Sequence, residues 1–210
     1  MRIRRALVLL PLLLVASATT YAGPIVAGDT VVLTDGPGTT GGGEFNLFVN
    51  GSTTSFVTFC LQRTEFISYN TPFRVGSVTN YADDAAGNDP IESQTAWLYT
   101  QLRLNPNSIG YQHNQTEANA FQTAIWYFEN EITLTNAQKL ANKYIVGANQ
   151  AVANGYSGIG NVRVVNLFYM NGKAAQDQLI LQVAEPATLT MFASGLLAFG
   201  AFRRRFSTRA

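Results

Sequence analysis

Glu44-Phe45-Asn46-Leu47-Phe48-Val49-Asn50-Gly51, resumed at Ser55-Phe56-Val57-Thr58-Phe59-Cys60-Leu61-Gln62, is the stretch that decides the fold. Asn-Gly between two runs of strand formers is a strong short-range hairpin signal, because both residues accept positive φ. Phe45, Leu47 and Val49 share one face of the first arm. On the second arm Phe56, Thr58 and Cys60 share one face and Val57, Phe59 and Leu61 the other. This pattern predicts a β-rich core with Cys60 near a strand end, apolar residues on both sides of it.

Upstream of the hairpin, Ile25 to Leu33 reads as a first strand, and Asp35-Gly36-Pro37-Gly38 with Gly41-Gly42-Gly43 as a flexible loop. Downstream, Glu65 to Tyr69 and Phe73 to Val78 continue the β pattern across a break at Asn70-Thr71-Pro72. The period then becomes helical. Asp89-Pro90-Ile91-Glu92 joins an N-cap residue, a first-turn proline and a capping-box Glu, predicting a helix to about Leu104. Asn114-Gln115-Thr116-Glu117 opens a second helix, to about Asn130, and Thr135-Asn136-Ala137-Gln138 a third, with Leu140, Ala141, Tyr144, Ile145 and Ala148 at helical spacing. Strands return at Val162 to Tyr169 and Leu179 to Val183, around a turn at Asn171-Gly172. The expected fold is α+β: a β-sandwich or partly open β-barrel with an inserted three-helix layer.

Both ends of the chain carry targeting patterns. Residues 1–22 place Arg2, Arg4 and Arg5 before the apolar run Ala6 to Val15 and small residues ending at Ala22, the layout of a cleavable signal peptide. An uncleaved anchor fits less well, because a span needs about 20 apolar residues. At the other end, Glu185-Pro186-Ala187-Thr188 precedes the apolar segment Leu189 to Phe202 and the basic stop Arg203-Arg204-Arg205. Residues 184–210 resemble the PEP-CTERM sorting signal of bacterial envelope proteins, with Ala184 where that motif usually has proline. The resemblance implies transient residence in the inner membrane, cleavage by an exosortase, and release to the cell surface or exopolysaccharide matrix. A plain C-terminal anchor is the competing reading.

Between these ends lies one domain, residues 23–183, of about 160 residues, long enough for a real core. Seven of the 14 Lys and Arg residues belong to the ends. The remaining seven face 13 Asp and Glu residues if Glu185 stays, a net charge near −6. That balance argues against nucleic acid as a partner.

Cys60 is the only cysteine, so it has no disulfide partner within the chain, and in an oxidising compartment an unpaired thiol needs another fate. On the second predicted helix Ala118, Phe121, Gln122, Ile125 and Trp126 share a face. Gln122 is its polar member and costs roughly 1–3 kcal/mol if buried without a partner. A hydrogen bond to a strand edge or to water is one explanation. The other starts from Phe59-Cys60 and Gln122-Thr123-Ala124-Ile125-Trp126, which together resemble the aromatic-Cys and Gln-x-Ala-Ile-Trp motifs of the thioester domain of bacterial surface adhesins. The resemblance implies that the Cys60 sulfur attacks the Gln122 side-chain carbonyl and expels ammonia. Phe59, Phe121 and Trp126 would then shield the bond until an amine or hydroxyl opens it.

Ala96-Trp97-Leu98-Tyr99 and Gln176-Asp177-Gln178-Leu179 extend the likeness to a set of PEP-CTERM proteins. Those proteins commonly have Glu after the tryptophan, where this chain has Tyr127, so if that acid helps bond formation Glu129 would have to substitute. A passive structural or exopolysaccharide-associated module is the alternative. An enzyme is not expected: a cysteine nucleophile with His113 as base lacks local support. No cofactor or metal is expected. Asp83, Asp84 and Asp89 around Gly87 match no EF-hand spacing and read as a solvated loop. Asn50-Gly51-Ser52 and Asn114-Gln115-Thr116 match the glycosylation tripeptide, a pattern frequent by chance.

Overall fold

The computed structural model describes residues 25–39, 42–84 and 87–182. The signal-peptide segment 1–22 and the sorting segment with Glu185, Pro186, Arg203, Arg204 and Arg205 lie outside the described residues. Among those described, no helix is long and apolar enough to cross a membrane.

The hairpin forms as its turn residues dictate. β2 (Gly42–Val49) pairs antiparallel with β3 (Ser55–Thr58), with Phe48 opposite Ser55 and Phe45 opposite Thr58. Asn50 and Gly51 both take positive φ, 50° and 72°. β1 (Thr30–Thr39), β4 (Pro72–Thr79), β7 (Val162–Tyr169) and β8 (Ala174–Leu181) complete a six-stranded sheet in the order β3-β2-β1-β4-β7-β8, antiparallel throughout. Past β3, Cys60 bridges Gln178 of β8, where Leu61 N donates to Asp177 O at 3.2 Å and Leu179 N to Phe59 O at 3.0 Å. The two edges of the ladder thus touch over a few residues. The sandwich alternative is not formed: these strands make one sheet, accompanied by a small ribbon of β5 (Tyr81–Asp84) and β6 (Gly87–Pro90).

Between β6 and β7 the chain inserts α1 (Ser93–Leu104), α2 (Gln115–Phe128) and α3 (Asn142–Ala153). Two apolar clusters result. Phe59 and Leu61 join Tyr99, Phe121, Ile125 and Leu179 in the helical cluster. Cys60 joins Leu33, Phe45, Leu47, Phe73 and Leu167 in the other. The alternation read along Phe56 to Leu61 therefore separates the two cores. Cys60 stands where they meet, because its neighbours on either side face the helices.

Several expected boundaries move, each for a physical reason. Ile25 to Asp29 is a turn, not strand: Val26 N donates to Asp29 Oδ2 at 2.9 Å and Gly28 takes φ 95°. Of the expected loop, Gly36, Pro37 and Gly38 instead lengthen β1 and Gly42 and Gly43 lengthen β2, with Gly38 opposite Gly43 past a bulge, while Gly41 lies outside the described residues. Its glycines permit close backbone approach: a Cβ on Gly36 would lie 2.5 Å from Glu44 O, and one on Gly38 would lie 2.9 Å from Gly43 Cα. The second arm of the hairpin ends as strand at Thr58 rather than Gln62. There β2 and the Cys60 segment part. Glu65 to Tyr69 forms no strand: it meets β8 through Gln176 N donating to Phe66 O at 3.4 Å, a single long bond and not a ladder.

The first helix starts at Ser93 rather than Pro90, with Glu92 as an N-cap that makes no side-chain bond. Asp89 and Pro90 are spent in the ribbon, opposite Ala82 and Tyr81, where a terminal strand position tolerates the missing N–H. The second helix starts as expected, Asn114 Oδ1 accepting from Glu117 N at 3.0 Å, and ends at Phe128. The third capping site leads first into a 3₁₀ turn, Asn136–Ala141, before α3. β8 begins at Ala174, earlier than Leu179, because its buried Gln176, Asp177 and Gln178 hide the apolar signature of a core strand.

Candidate functional site

The site lies where β2 and the segment after β3 separate. Continuing the β2–β3 register beyond Phe45 opposite Thr58 would set Gly43 opposite Cys60. Instead the Gln122 carboxamide, delivered by α2, occupies the gap. Gln122 Nε2 donates to Cys60 O at 2.8 Å. Its Oε1 accepts from Cys60 N at 3.3 Å, from Gly43 N at 3.4 Å and from Cys60 Sγ at 3.3 Å. Cys60 can offer both main-chain groups because its bridge to Gln178 is made by Leu61 and Leu179, leaving its own N–H and C=O turned away from β8. The amide behaves as a peptide unit inserted between two strands.

Cys60 is fully buried and Gln122 is 1% exposed. Burial pushes the Cys60 thiol far up; its backbone N–H and the Trp126 indole draw it back in part, and the charge of Glu131 adds to the rise. The sulfur is therefore a neutral thiol at physiological pH, unreactive toward reagents in bulk water. Held against one amide group, it needs no diffusional encounter, and such fixed geometry can replace a large entropic barrier.

The aromatic residues singled out with this pair divide between the two cores. Phe59 and Phe121 are fully buried, ring centroids 4.8 Å apart, and back the site on the helical side. Trp126 is half-buried and packs with the sheet cluster. Its buried indole Nε1 meets full hydrogen-bond geometry with no partner among the described residues, and the Cys60 thiol is the group on which it bears. Gly42, which sequence reasoning assigned to a loop, makes room for Trp126: a Cβ there would collide with the indole ring and stand 2.8 Å from Gln122 Cγ. Asn119 fastens the same β1–β2 end to α2, its Oδ1 accepting from Thr39 N at 3.0 Å.

Glu129, the acid that would have to stand in for the missing Glu, is buried. It caps the C-terminal end of α2 and accepts from Glu92 N at 3.3 Å. Glu131, which accepts from Arg63 N at 3.0 Å, is the acid whose charge reaches Cys60. His113, the base of the hydrolase reading, is engaged elsewhere: Nδ1 lies 2.9 Å from Glu44 Oε2, which also accepts from Tyr111 OH at 2.6 Å. Asp83 sits on the ribbon opposite Asn88, its N–H given to Asp177 Oδ2 at 2.9 Å. Among the described residues no cluster of three His, Cys, Asp or Glu is arranged to hold a metal ion.

A second polar junction went unread in the sequence. Gln62 Oε1 accepts from Asp177 N at 3.0 Å and Gln62 Nε2 donates to Asp177 Oδ2 at 3.1 Å. Asp177 Oδ1 accepts from Leu167 N at 2.9 Å, at the β7 irregularity between Val165 and Leu167. One carboxylate thus joins β5, β7, β8 and the Cys60 segment. The run Gln176-Asp177-Gln178 was the available signal, since three polar residues ahead of Leu179 must be satisfied if the strand is buried.

No family model matches the chain, and no curated protein matches it. Among solved structures it is similar to the N-terminal thioester domain of the fibronectin-binding protein SfbI from Streptococcus pyogenes. The TM-score is 0.48 at 11% identity, with 76% of this chain and 95% of that one covered. The Cys60–Gln122 geometry stands independently of that likeness.

Proposed function

We propose that the domain closes an internal thioester between Cys60 and Gln122 and uses it to attach covalently to a surface partner bearing an amine or hydroxyl. The observation that carries this reading is the 3.3 Å approach of Cys60 Sγ to Gln122 Oε1, with the whole carboxamide pinned to the Cys60 backbone. In bond formation the sulfur bonds to Gln122 Cδ, the C–N bond breaks, and the thiol proton leaves with the amine as ammonia. In capture the incoming nucleophile bonds to Cδ, the C–S bond breaks, and the thiol is regenerated. The domain reacts once and does not turn over, so it is not an enzyme in this reading. The signal-like N-terminus and PEP-CTERM-like C-terminus support export, passage through the inner membrane, exosortase processing, and residence at the cell surface or in the matrix.

Intact mass of the purified mature protein tests the bond. It is expected one ammonia below the sequence mass, with Cys60 resistant to alkylation after denaturation, and with the deficit absent in Cys60→Ser and Gln122→Ala. Full sequence mass with a freely alkylated thiol would defeat the proposal. That result favours the second reading, a passive structural or exopolysaccharide-associated module. One observation supports it: Gln122 has partners for both amide atoms without any reaction, so the pair also satisfies the requirements of a buried polar contact.

A further inference from the structure

We propose that the parted strands at Gly43 and Cys60 form an oxyanion pocket, in which two main-chain N–H groups stabilise the charge that develops on Gln122 Oε1 as its carbonyl is attacked. The inference rests on the thioester reading and specifies how the protein lowers the barrier. In an unbroken β2–β3 ladder these N–H groups would serve carbonyl oxygens of the opposite strand. Here Cys60 N and Gly43 N both converge on one side-chain oxygen, at 3.3 and 3.4 Å. Both bonds are long for N–H to oxygen, which leaves room to tighten as the oxygen gains charge. Interactions that strengthen between ground state and transition state are the ones that accelerate a reaction.

The remaining contacts fit the same step. Gln122 Nε2 is held by Cys60 O at 2.8 Å, which fixes the plane of the amide and the position of the departing nitrogen. As the S–C bond forms, the carbonyl electron pair moves to Oε1 inside the pocket. It returns as the C–N bond breaks, and the thiol proton goes out on ammonia. The same two N–H groups face the same oxygen when a nucleophile later attacks the thioester, so formation and opening share one stabilising element. The pocket depends on glycine at both positions of the β2 start: Gly42 carries no side chain to strike Trp126 and Gln122, and Gly43 takes φ 137°, a conformation open mainly to glycine.

The test removes the N–H alone. Cell-free translation of the full chain with glycolic acid in place of Gly43 converts that amide to an ester and leaves every side chain intact. The control places the α-hydroxy acid of leucine at Leu179, deleting the N–H that donates to Phe59 O at 3.0 Å, a bond of the bridge and not of the pocket, and leaving the Cys60 carbonyl that holds Gln122 Nε2 untouched. Each chain is followed by intact mass for loss of ammonia from the moment of its release in translation, before the bond has closed. The Gly43 ester is expected to slow that loss by about 10²-fold, the effect of deleting one oxyanion donor, and the Leu179 ester by no more than a few-fold. Opening of the preformed bond by methylamine should slow in parallel. Equal rates in the Gly43 ester and the unmodified chain, or equal slowing by both esters, overturn the pocket while the thioester stands. An unmodified chain that never loses ammonia overturns the thioester reading itself.

Discussion

Within three residues the segment after β3 uses the same device twice, with different results. At Gln62 and at Gln122 a buried carboxamide completes a gap in strand pairing. The Gln62 amide meets Asp177 through bonds of 3.0 and 3.1 Å, and Asp177 takes two further main-chain donors at 2.9 Å each. The Gln122 amide has one short bond, 2.8 Å to Cys60 O, and on its oxygen two long N–H bonds and the Cys60 thiol at 3.3 Å. The first junction is held by short bonds and has no nucleophile, so it can only hold strands together. The second gathers its main-chain donors at longer range on one carbonyl oxygen and has a sulfur beside it. The difference places reactivity in the quality of the hydrogen bonding and the identity of one neighbour, not in burial, which the two share.

Breaking the Gln62–Asp177 junction should produce the largest loss of stability. Asp177→Ala strands the N–H groups of Asp83 and Leu167 and the Gln62 amide, and each buried donor left alone costs about 1–3 kcal/mol. A loss on the order of 3 kcal/mol or more is expected in urea unfolding. If the contrast between the junctions holds, the molecules that remain folded still lose ammonia. A variant unchanged in stability would show that Asp177 does not tie the sheet edges together.

The pH dependence comes next in size. Burial pushes Asp177 from its ordinary value up to about 7. Burial also pushes Glu129 up to about 8, with the charges of Asp89 and Glu92 adding to the rise. For both groups the folded value lies above the unfolded one, so the native state binds more protons than the unfolded state between about pH 4 and 8. Their contribution is fully present below the unfolded carboxylate range and is lost as pH rises through 7 and 8. The urea midpoint should therefore fall from pH 5 to pH 8.5. Glu129→Gln should flatten that slope, because a neutral amide has no proton to lose; an unaltered slope would remove Glu129 as its source.

A smaller effect separates the junctions again. Gly42→Ala forces a Cβ against the Trp126 ring and Gln122 Cγ, and overpacking of this kind costs about 1–3 kcal/mol. Because the displaced atoms carry the carboxamide, ammonia loss should slow as well, in contrast to Asp177→Ala. Intact mass of freshly translated protein, followed in time, distinguishes the two variants; unchanged kinetics in Gly42→Ala would mean that the amide can shift without consequence.

How much of this was legible in the sequence depends on the range of the interaction. The Asn50-Gly51 turn, the alternation from Phe56 to Leu61 and the Asn114 cap are local, and each appears where residue type alone placed it. Cys60 and Gln122 were brought together by motif, and the structure sets them face to face. The glycines from Gly36 to Gly43 misled because glycine marks either a flexible chain or a close approach, and only the partner decides which. Here the partners are Glu44, the facing glycine pair and Trp126. Asp89-Pro90 misled for a similar reason: the capping pattern was present, yet pairing with β5 claimed those residues first. The Gln62–Asp177 junction spans more than a hundred residues of sequence and has no local signature beyond its polarity.

The smallest expected effect concerns the helix that delivers Gln122. Asn114 Oδ1 satisfies the Glu117 N–H at 3.0 Å, and losing an N-cap of this kind costs about 1 kcal/mol. Asn114→Ala should lower the unfolding midpoint accordingly. Gln122 lies two turns further along α2, where Phe121 and Ile125 on the same face are fully buried, so fraying of the first turn should not reach the carboxamide. Ammonia loss at the unmodified rate in a measurably less stable protein would show that Gln122 is held by the Cys60 backbone and the core around it. Slower loss would mean that its position depends on the integrity of the whole helix, and would weaken the contrast between a self-contained reactive junction and a structural one.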